Sequence, residues 1–122
     1  MNTLLSFQST PYVHIGSHTH VRAEDILYCQ GDGNYTFIYF LSGRRVLVST
    51  TLGILAERLV PRGFVRVSRS ALVNMSYILD YDDHELTLTN DRVLSIARRR
   101  RASVREWLKN RFSTPRTASQ VA

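Results

Sequence analysis

Residues 26–43 read ILYCQGDGNYTFIYFLSG, and this stretch decides the fold. Its two apolar runs, ILYCQ and YTFIYFL, are rich in β-branched and aromatic residues, which favour strands. Gly31, Asp32 and Gly33 form a turn signal between the two runs. Ser42 and Gly43 close the second run, and RRVLVST follows as its partner. The stretch therefore predicts β-strands joined by short turns, with the last two segments forming a hairpin.

The flanking sequence continues the strand pattern and then changes period. Upstream, YVHIG and HVRAEDILYCQ are further β-rich segments, separated by Gly16 and Ser17. Downstream, the residues between Thr51 and Val60 have apolar side chains at helical spacing. The apolar positions are Leu52, Leu55, Ala56 and Leu59, with Thr50 or Thr51 as N-cap and Pro61 and Gly63 as the end signal. One amphipathic helix of two to three turns is predicted here.

The second half repeats the same order of strands and then a helix. FVRVSRSALVN, YILDYDDHELTLT and RVLSIA are the β-forming segments, with a turn at Asn90 and Asp91. After Ala97, the apolar residues Val104, Trp107 and Leu108 lie on one helical stripe, so we expect Trp107 to pack in the core. The predicted fold class is mainly β, with two short helices.

Length and composition predict one domain. We expect a folded unit over residues 12–112, a loosely attached N-terminus over residues 1–11 and a flexible tail over residues 113–122. The single cysteine, Cys29, cannot form an internal disulfide and lies in an apolar run, which favours a reducing, cytoplasmic setting. No apolar stretch approaches the roughly 20 residues that cross a bilayer, so no membrane partner is expected.

The charge predicts a polyanionic partner. The net charge is +6, and 15 of the 16 basic residues are arginines, since Lys109 is the only lysine. Nine basic residues and one acidic residue, Glu106, lie from Arg92 onward, so that stretch carries +8 and the rest of the chain −2. Arginine suits phosphates and guanine edges because its planar fork donates two hydrogen bonds. A GC-rich genome would also enrich arginine, so composition alone leaves both explanations open.

The histidines, acidic residues and glycines of this sequence are not arranged for catalysis or metal binding. His18 and His20 share a strand face with no third or fourth ligand to nominate, and a solvated role is favoured. The acidic cluster from Asp80 to Glu85 is typical of a solvated turn. Gly31 and Gly33 lack the lysine and the following helix that a phosphate loop requires, and are assigned to a turn. We expect no enzyme activity, no metal site and no cofactor.

Three segments carry polar and cationic residues suited to nucleic acid. Asn34, Tyr35 and Thr36 open a strand at a turn, and Arg66, Ser68 and Arg69 alternate with valines. Arg98, Arg99, Arg100 and Arg101 lie at a strand-to-helix junction. These groups can contact base edges and phosphates only if the loops converge, and spacing alone does not establish convergence.

Together, three ordered segments resemble the LytTR domain of bacterial transcription regulators. They are ILYCQGDGNYTFIYFLSG, FVRVSRSALVNMSYI and RVLSIARRRRASVREWL, and the likeness covers about residues 20 to 110. The resemblance implies an elongated sandwich of short antiparallel sheets that inserts loops into DNA. It further implies an output module of two-component response regulators that binds paired direct repeats near promoters, as a dimer on DNA in some arrangements.

The resemblance also implies a role for each matching position. Tyr35 and Thr36, with Asn34, stand where the family contacts one major groove, and Arg69 faces the groove between. Arg98 and Arg99 stand where it enters a second major groove. Three further positions imply phosphate contacts that fix the register: Ser68, Arg100 and Arg101.

The chain departs from the family in three respects, and two alternative functions stay open. Gln30 and Ala97 stand where the family often has an acidic residue and a serine, next to the implied contacts. No sensory domain precedes the module, so it is either part of a longer regulator or a stand-alone regulator controlled by a partner protein. The initiating Met1 favours the stand-alone regulator. Non-specific nucleic-acid binding by the arginine cluster and a protein-interaction module are the alternative functions. RNA binding is disfavoured because Tyr28, Phe37, Tyr39 and Phe40 lie in apolar strands, where core packing is expected.

Overall fold

A computed structural model describes residues 10–110 of the chain. Ten β-strands and two α-helices follow one another along that part. The first half holds β1 (Tyr12–Gly16), β2 (Thr19–Arg22), β3 (Ile26–Asp32), β4 (Tyr35–Phe40), β5 (Arg45–Val48) and α1 (Leu52–Leu59). The second half holds β6 (Phe64–Ser68), β7 (Ala71–Asn74), β8 (Ile78–Tyr81), β9 (Glu85–Leu88), β10 (Val93–Ser95) and α2 (residues 101–110).

The strands form three short antiparallel sheets. The largest has five strands in the order β5-β4-β3-β7-β6, β8 to β10 form a three-stranded sheet, and β1 pairs with β2. The mainly-β fold class with short antiparallel sheets and two short helices is therefore confirmed.

The five-stranded sheet lies between two apolar layers because its strands alternate side chains between its faces. One face packs against the β1-β2 hairpin and α1, through residues such as Ile15, Leu55 and Leu72. The other face packs against the three-stranded sheet and α2, through residues such as Val73 and Leu108. Strand β7 is buried along its whole length because it lies inside the sheet with both faces covered.

Helix α1 begins and ends as the sequence predicts. The Thr51 hydroxyl accepts a hydrogen bond from the Ile54 amide at 3.3 Å, which is an N-cap. The chain leaves the helix through a 3-10 turn that contains Pro61, and Gly63 follows with a φ of +97°, a conformation that favours glycine. Leu52, Leu55 and Leu59 are buried against the central sheet.

Gly31 does not lie in the turn, and this part of the sequence analysis was wrong. Strand β3 continues through Asp32, and the turn consists of Gly33, with a φ of +62°, and Asn34. Gly31 is needed for a different reason. A Cβ there would lie 3.1 Å from the Cβ of Leu52, so the missing side chain lets α1 approach β3 closely.

Two segments that the sequence predicts as β-forming each contain a turn in the structure. A 3-10 turn at Ala23–Asp25 separates β2 from β3. The segment FVRVSRSALVN folds as the hairpin β6-β7, with a register shift between Arg66 and Ser68. The polar SRS triplet in this segment marks the turn, a signal that the surrounding valines and leucine concealed.

Trp107 is not a core residue, which corrects the helical-stripe assignment. Val104 and Leu108 are buried, but 44% of the surface of Trp107 is exposed. Each residue of an α-helix is turned about 100° from the one before, so Trp107 lies on the flank of the stripe and not at its centre.

The aromatic residues of the central strands do not form an open platform. Tyr28 and Phe40 are buried, while Phe37 and Tyr39 are half-buried. The Tyr28 and Tyr39 rings stack with 4.5 Å between their centroids, within the apolar layer on the α2 side. Cys29 is also buried, and burial raises the pKa of its thiol to about 12. The expected core packing of Tyr28 and Phe40 is confirmed.

Candidate nucleic-acid interface

Three connecting segments meet at one end of the five-stranded sheet. The β3-β4 turn and the β6-β7 turn are neighbours because β3 pairs with β7, and the Gly31 amide donates to the Ser70 carbonyl at 2.8 Å. The segment that leads into α2 joins the same end, where the Ala97 amide donates to the Val67 carbonyl at 2.8 Å. We call these three segments the loop end: residues 33–35, 68–70 and 97–101.

The β3-β4 turn presents one aromatic and one amide side chain. Asn34 is exposed, and 52% of the surface of Tyr35 is exposed. Thr36 differs, because it is fully buried and its hydroxyl donates to the Thr50 carbonyl at 2.7 Å. Thr36 therefore does not lie on this surface, and its inclusion among the contact residues is corrected. Strand alternation is the reason, since Thr36 points to the α1 face of the sheet as Ile38 does.

The β6-β7 turn is held by its own side chains. The Ser68 hydroxyl accepts from the Ser70 amide at 3.2 Å, as in other short serine turns. The Arg66 guanidinium is half-buried and donates from Nε to the Ser68 carbonyl at 3.1 Å and from Nη2 to the Arg69 carbonyl at 2.5 Å. Burial, and then the positive charge of Arg100, lower the pKa of Arg66. Arg69 is exposed at the tip of the turn.

The arginine run forms a 3-10 turn before α2. Arg98 and Arg99 are exposed, and Arg100 and Arg101 are half-buried. The Nε atom of Arg101 is buried without a hydrogen-bond partner within residues 10–110. Cations at a helix start oppose the helix dipole, so no local electrostatic benefit explains four of them here. An anion bound opposite them would compensate.

Three exposed arginines at the loop end have no acidic partner within residues 10–110. Within the described part of the chain, the ion pairs join Arg22 to Glu24 and Arg105 to Asp83. The side chains of Arg69, Arg98 and Arg99 form no hydrogen bond or ion pair with residues 10–110. Their positive charge therefore remains available to an external anion.

The sequence analysis missed one residue of this surface, and it also misplaced Trp107. Ser70 lies in the β6-β7 turn, and the SRS triplet was the signal that would have found it. Trp107 was assigned to the core, yet it is exposed on α2 beyond the arginine run. Its position on the flank of the apolar stripe was the available signal.

The family model described as "LytTr DNA-binding domain" matches residues 17–109. The chain belongs to the LytTR family. A solved LytTR structure, the LytTr DNA-binding domain of a protein described as a methyl-accepting/DNA response regulator from Bacillus cereus, is similar to it in fold. That structure has a TM-score of 0.65 and 17% sequence identity, and the match covers 82% of this chain and 98% of the other. No curated protein matches this chain in sequence.

The family match confirms the resemblance given by the three ordered segments, and the fold of the LytTR domain agrees with it. Membership assigns the chain to DNA-binding domains of transcription regulation. Within residues 10–110, no helix is long and apolar enough to span a membrane.

Proposed function

We propose that this LytTR domain binds a specific double-stranded DNA sequence through its loop end and thereby regulates transcription in bacteria. The convergence of three segments at one end of the central sheet supports this proposal most strongly. A protein that reads several base pairs through loops, without a recognition helix, needs polar groups from separate segments held on one surface. Neutralised phosphates supply affinity, and contacts with base edges supply sequence preference.

The three segments divide these tasks. Asn34 and Tyr35 enter one major groove, Arg98 and Arg99 enter the next, and Arg69 lies between them. Arg100 and Arg101 contact phosphates, and the Ser68 hydroxyl, which accepts from Ser70, keeps its own hydrogen for donation to a phosphate oxygen. Two such domains on paired direct repeats extend the site, which fits a role near promoters.

Selection from a randomised duplex pool tests the proposal. We expect one enriched motif that the domain binds about a thousand-fold more tightly than unrelated DNA at physiological salt. Titration at two salt concentrations gives the number of phosphates contacted, since each contributes a slope of about 0.9. A pool without an enriched motif, combined with equal displacement by any competitor duplex, would instead favour non-specific binding through the arginine run.

A further inference from the structure

The Arg66 side chain spans the turn that carries Arg69. Its guanidinium donates to the carbonyls of Ser68 and Arg69, which are consecutive residues of the β6-β7 turn. A guanidinium can bridge two carbonyls because its N–H donors lie in one plane with fixed directions. Arg66 itself lies on β6, two residues before the end of the strand, so it ties the turn to the regular part of the sheet.

Arg66 and Arg69 have opposite environments although they lie three residues apart. Arg66 is half-buried and two of its five N–H donors bind carbonyls of the protein, whereas the Arg69 side chain is exposed and forms no hydrogen bond or ion pair with residues 10–110. A cation whose donors already bind carbonyls contributes less to a phosphate or a base edge than a cation whose donors all face solvent.

We propose that Arg66 is a positioning residue of this domain: it holds the β6-β7 turn in the conformation that presents Arg69, and it does not itself contact DNA. This inference rests on the proposed function, and it changes the role of Arg66 from a contact to a support. A base contact requires its supporting residues to hold it within about 0.5 Å of the productive geometry. The register shift between Arg66 and Ser68 interrupts the regular strand pairing beside the turn, and the two hydrogen bonds from Arg66 hold the chain there.

The substitution R66K separates support from charge. Lysine keeps the positive charge but is a point donor on a flexible stem, so it does not bridge the two carbonyls. We expect R66K to lower discrimination at one base pair of the selected site by about tenfold, at the base pair that R69A also affects. If R66K acts only by displacing Arg69, it has no further effect once Arg69 is removed. The double variant R66K/R69A should therefore discriminate no worse than R69A alone.

The substitution R66A tests the contact alternative. A positioning residue leaves the salt slope of binding unchanged, whereas loss of a phosphate contact lowers the slope by about 0.9. Arg58→Lys is the matched control, because the Arg58 guanidinium donates to the His14 carbonyl at 2.9 Å on the α1 side of the central sheet. All affinities are corrected for the folded fraction measured by thermal melting, and Arg58→Lys should leave base discrimination intact.

Two results would overturn the inference. One is a reduced salt slope for R66A with base preference intact, which would make Arg66 a phosphate contact. The other is wild-type discrimination by R66K. Amide exchange of Arg69 and Ser70 without DNA gives an independent measurement, and it should be faster in R66K but not in Arg58→Lys. If the wild-type domain selects no motif, the proposed function fails, while amide exchange still shows whether Arg66 orders the turn.

Discussion

Helices α1 and α2 pack on opposite faces of the central sheet, and the arginines near α1 differ in their contacts from those just before α2. Both bury leucines against the sheet, Leu55 in α1 and Leu108 in α2. On the α1 side, Arg58 donates to the His14 carbonyl and Arg62, just past the helix, to the Thr10 carbonyl. Before α2, Arg98 and Arg99 have no such partner within residues 10–110.

This difference shows that arginine content alone does not locate a binding surface. Arginines on the α1 side hold one segment of the chain to another, so their charge supports the fold. Arg98 and Arg99 form no hydrogen bond or ion pair within residues 10–110, and their side chains are exposed to solvent. The contacts of each guanidinium distinguish arginines bound within the fold from arginines without such partners, a difference that composition does not report.

The largest expected effect tests whether the two helices are equal in packing. Leu55→Ala and Leu108→Ala each remove a fully buried side chain, and each should lower the free energy of unfolding by about 2 to 5 kcal/mol. Chemical denaturation measures both. Trp107→Ala is the control on α2, and it should lower stability by less than Leu108→Ala because the ring is partly exposed. Equal losses for Trp107 and Leu108 would contradict the corrected position of Trp107.

The second prediction separates the two sets of arginines. Arg98→Ala should leave the melting temperature unchanged, reduce affinity for the selected duplex by about 1 to 3 kcal/mol and relax preference at one base pair. Arg58→Ala should do the reverse, lowering stability by about 1 kcal/mol through its lost hydrogen bond while the folded protein binds DNA normally.

Arg101→Ala provides a further distinction within the arginine run. As a phosphate contact, Arg101 should contribute equally to all sequences, so its loss should weaken binding uniformly and lower the salt slope by about 0.9. Identical specificity profiles for the Arg98 and Arg101 variants would mean that direct readout has been assigned to the wrong arginine.

The third prediction concerns the helix starts, which differ in capping. Thr51 caps α1, so Thr51→Ala should lower stability by about 1 kcal/mol. Ala97 has an extended conformation, with φ −62° and ψ 140°, and provides no side-chain cap before the 3-10 turn. Ala97→Ser should therefore raise stability, by about 0.5 kcal/mol or more. Thermal melts of both variants measure the effect, and an unchanged melt for Ala97→Ser would show that the bond from the Arg100 amide to the Ala97 carbonyl already satisfies this turn.

The smallest expected effect is that of the ion pair between Arg105 and Asp83, which joins α2 to the β8-β9 turn at 3.1 Å. Both side chains are more than half exposed, so water and salt screen the pair, and a double-mutant cycle should give less than about 1 kcal/mol of coupling. The coupling should fall further in high salt. A larger, salt-independent coupling would indicate that this pair anchors α2 more firmly than its exposure suggests.

Periodicity predicted the elements well, and it predicted the contacts within them less well. The α1 helix was found with its cap because leucine spacing and Thr51 are local signals. Asp82 was correctly placed in a turn, where its carboxylate accepts from two amides, and these bonds hold its pKa low. The β6-β7 turn was missed because its flanking residues are all strand formers. The burial of Thr36 depends on Thr50, fourteen residues away, and no local pattern reports that contact.

Sequence spacing could not predict that the three segments of the loop end meet, for a similar reason. It depends on the pairing of β3 with β7, more than 40 residues apart along the chain. The family resemblance supplied an expectation of contacts, but the residue types alone did not show which arginines were already occupied. Arg66 and Arg69 look equivalent in the sequence, and only the hydrogen bonds distinguish them.

The hydrogen bonds from Gly31 to Ser70 and from Ala97 to Val67 join segments that are distant in the chain, so a partly unfolded molecule has no complete loop end. The proposed DNA ligand therefore binds the native state alone and stabilises it, by about 2.7 kcal/mol at a hundred times its dissociation constant. Since degradation in cells follows the population of opened molecules, copies held on DNA should outlast free copies. Occupancy of the binding site and lifetime of the protein are thereby linked.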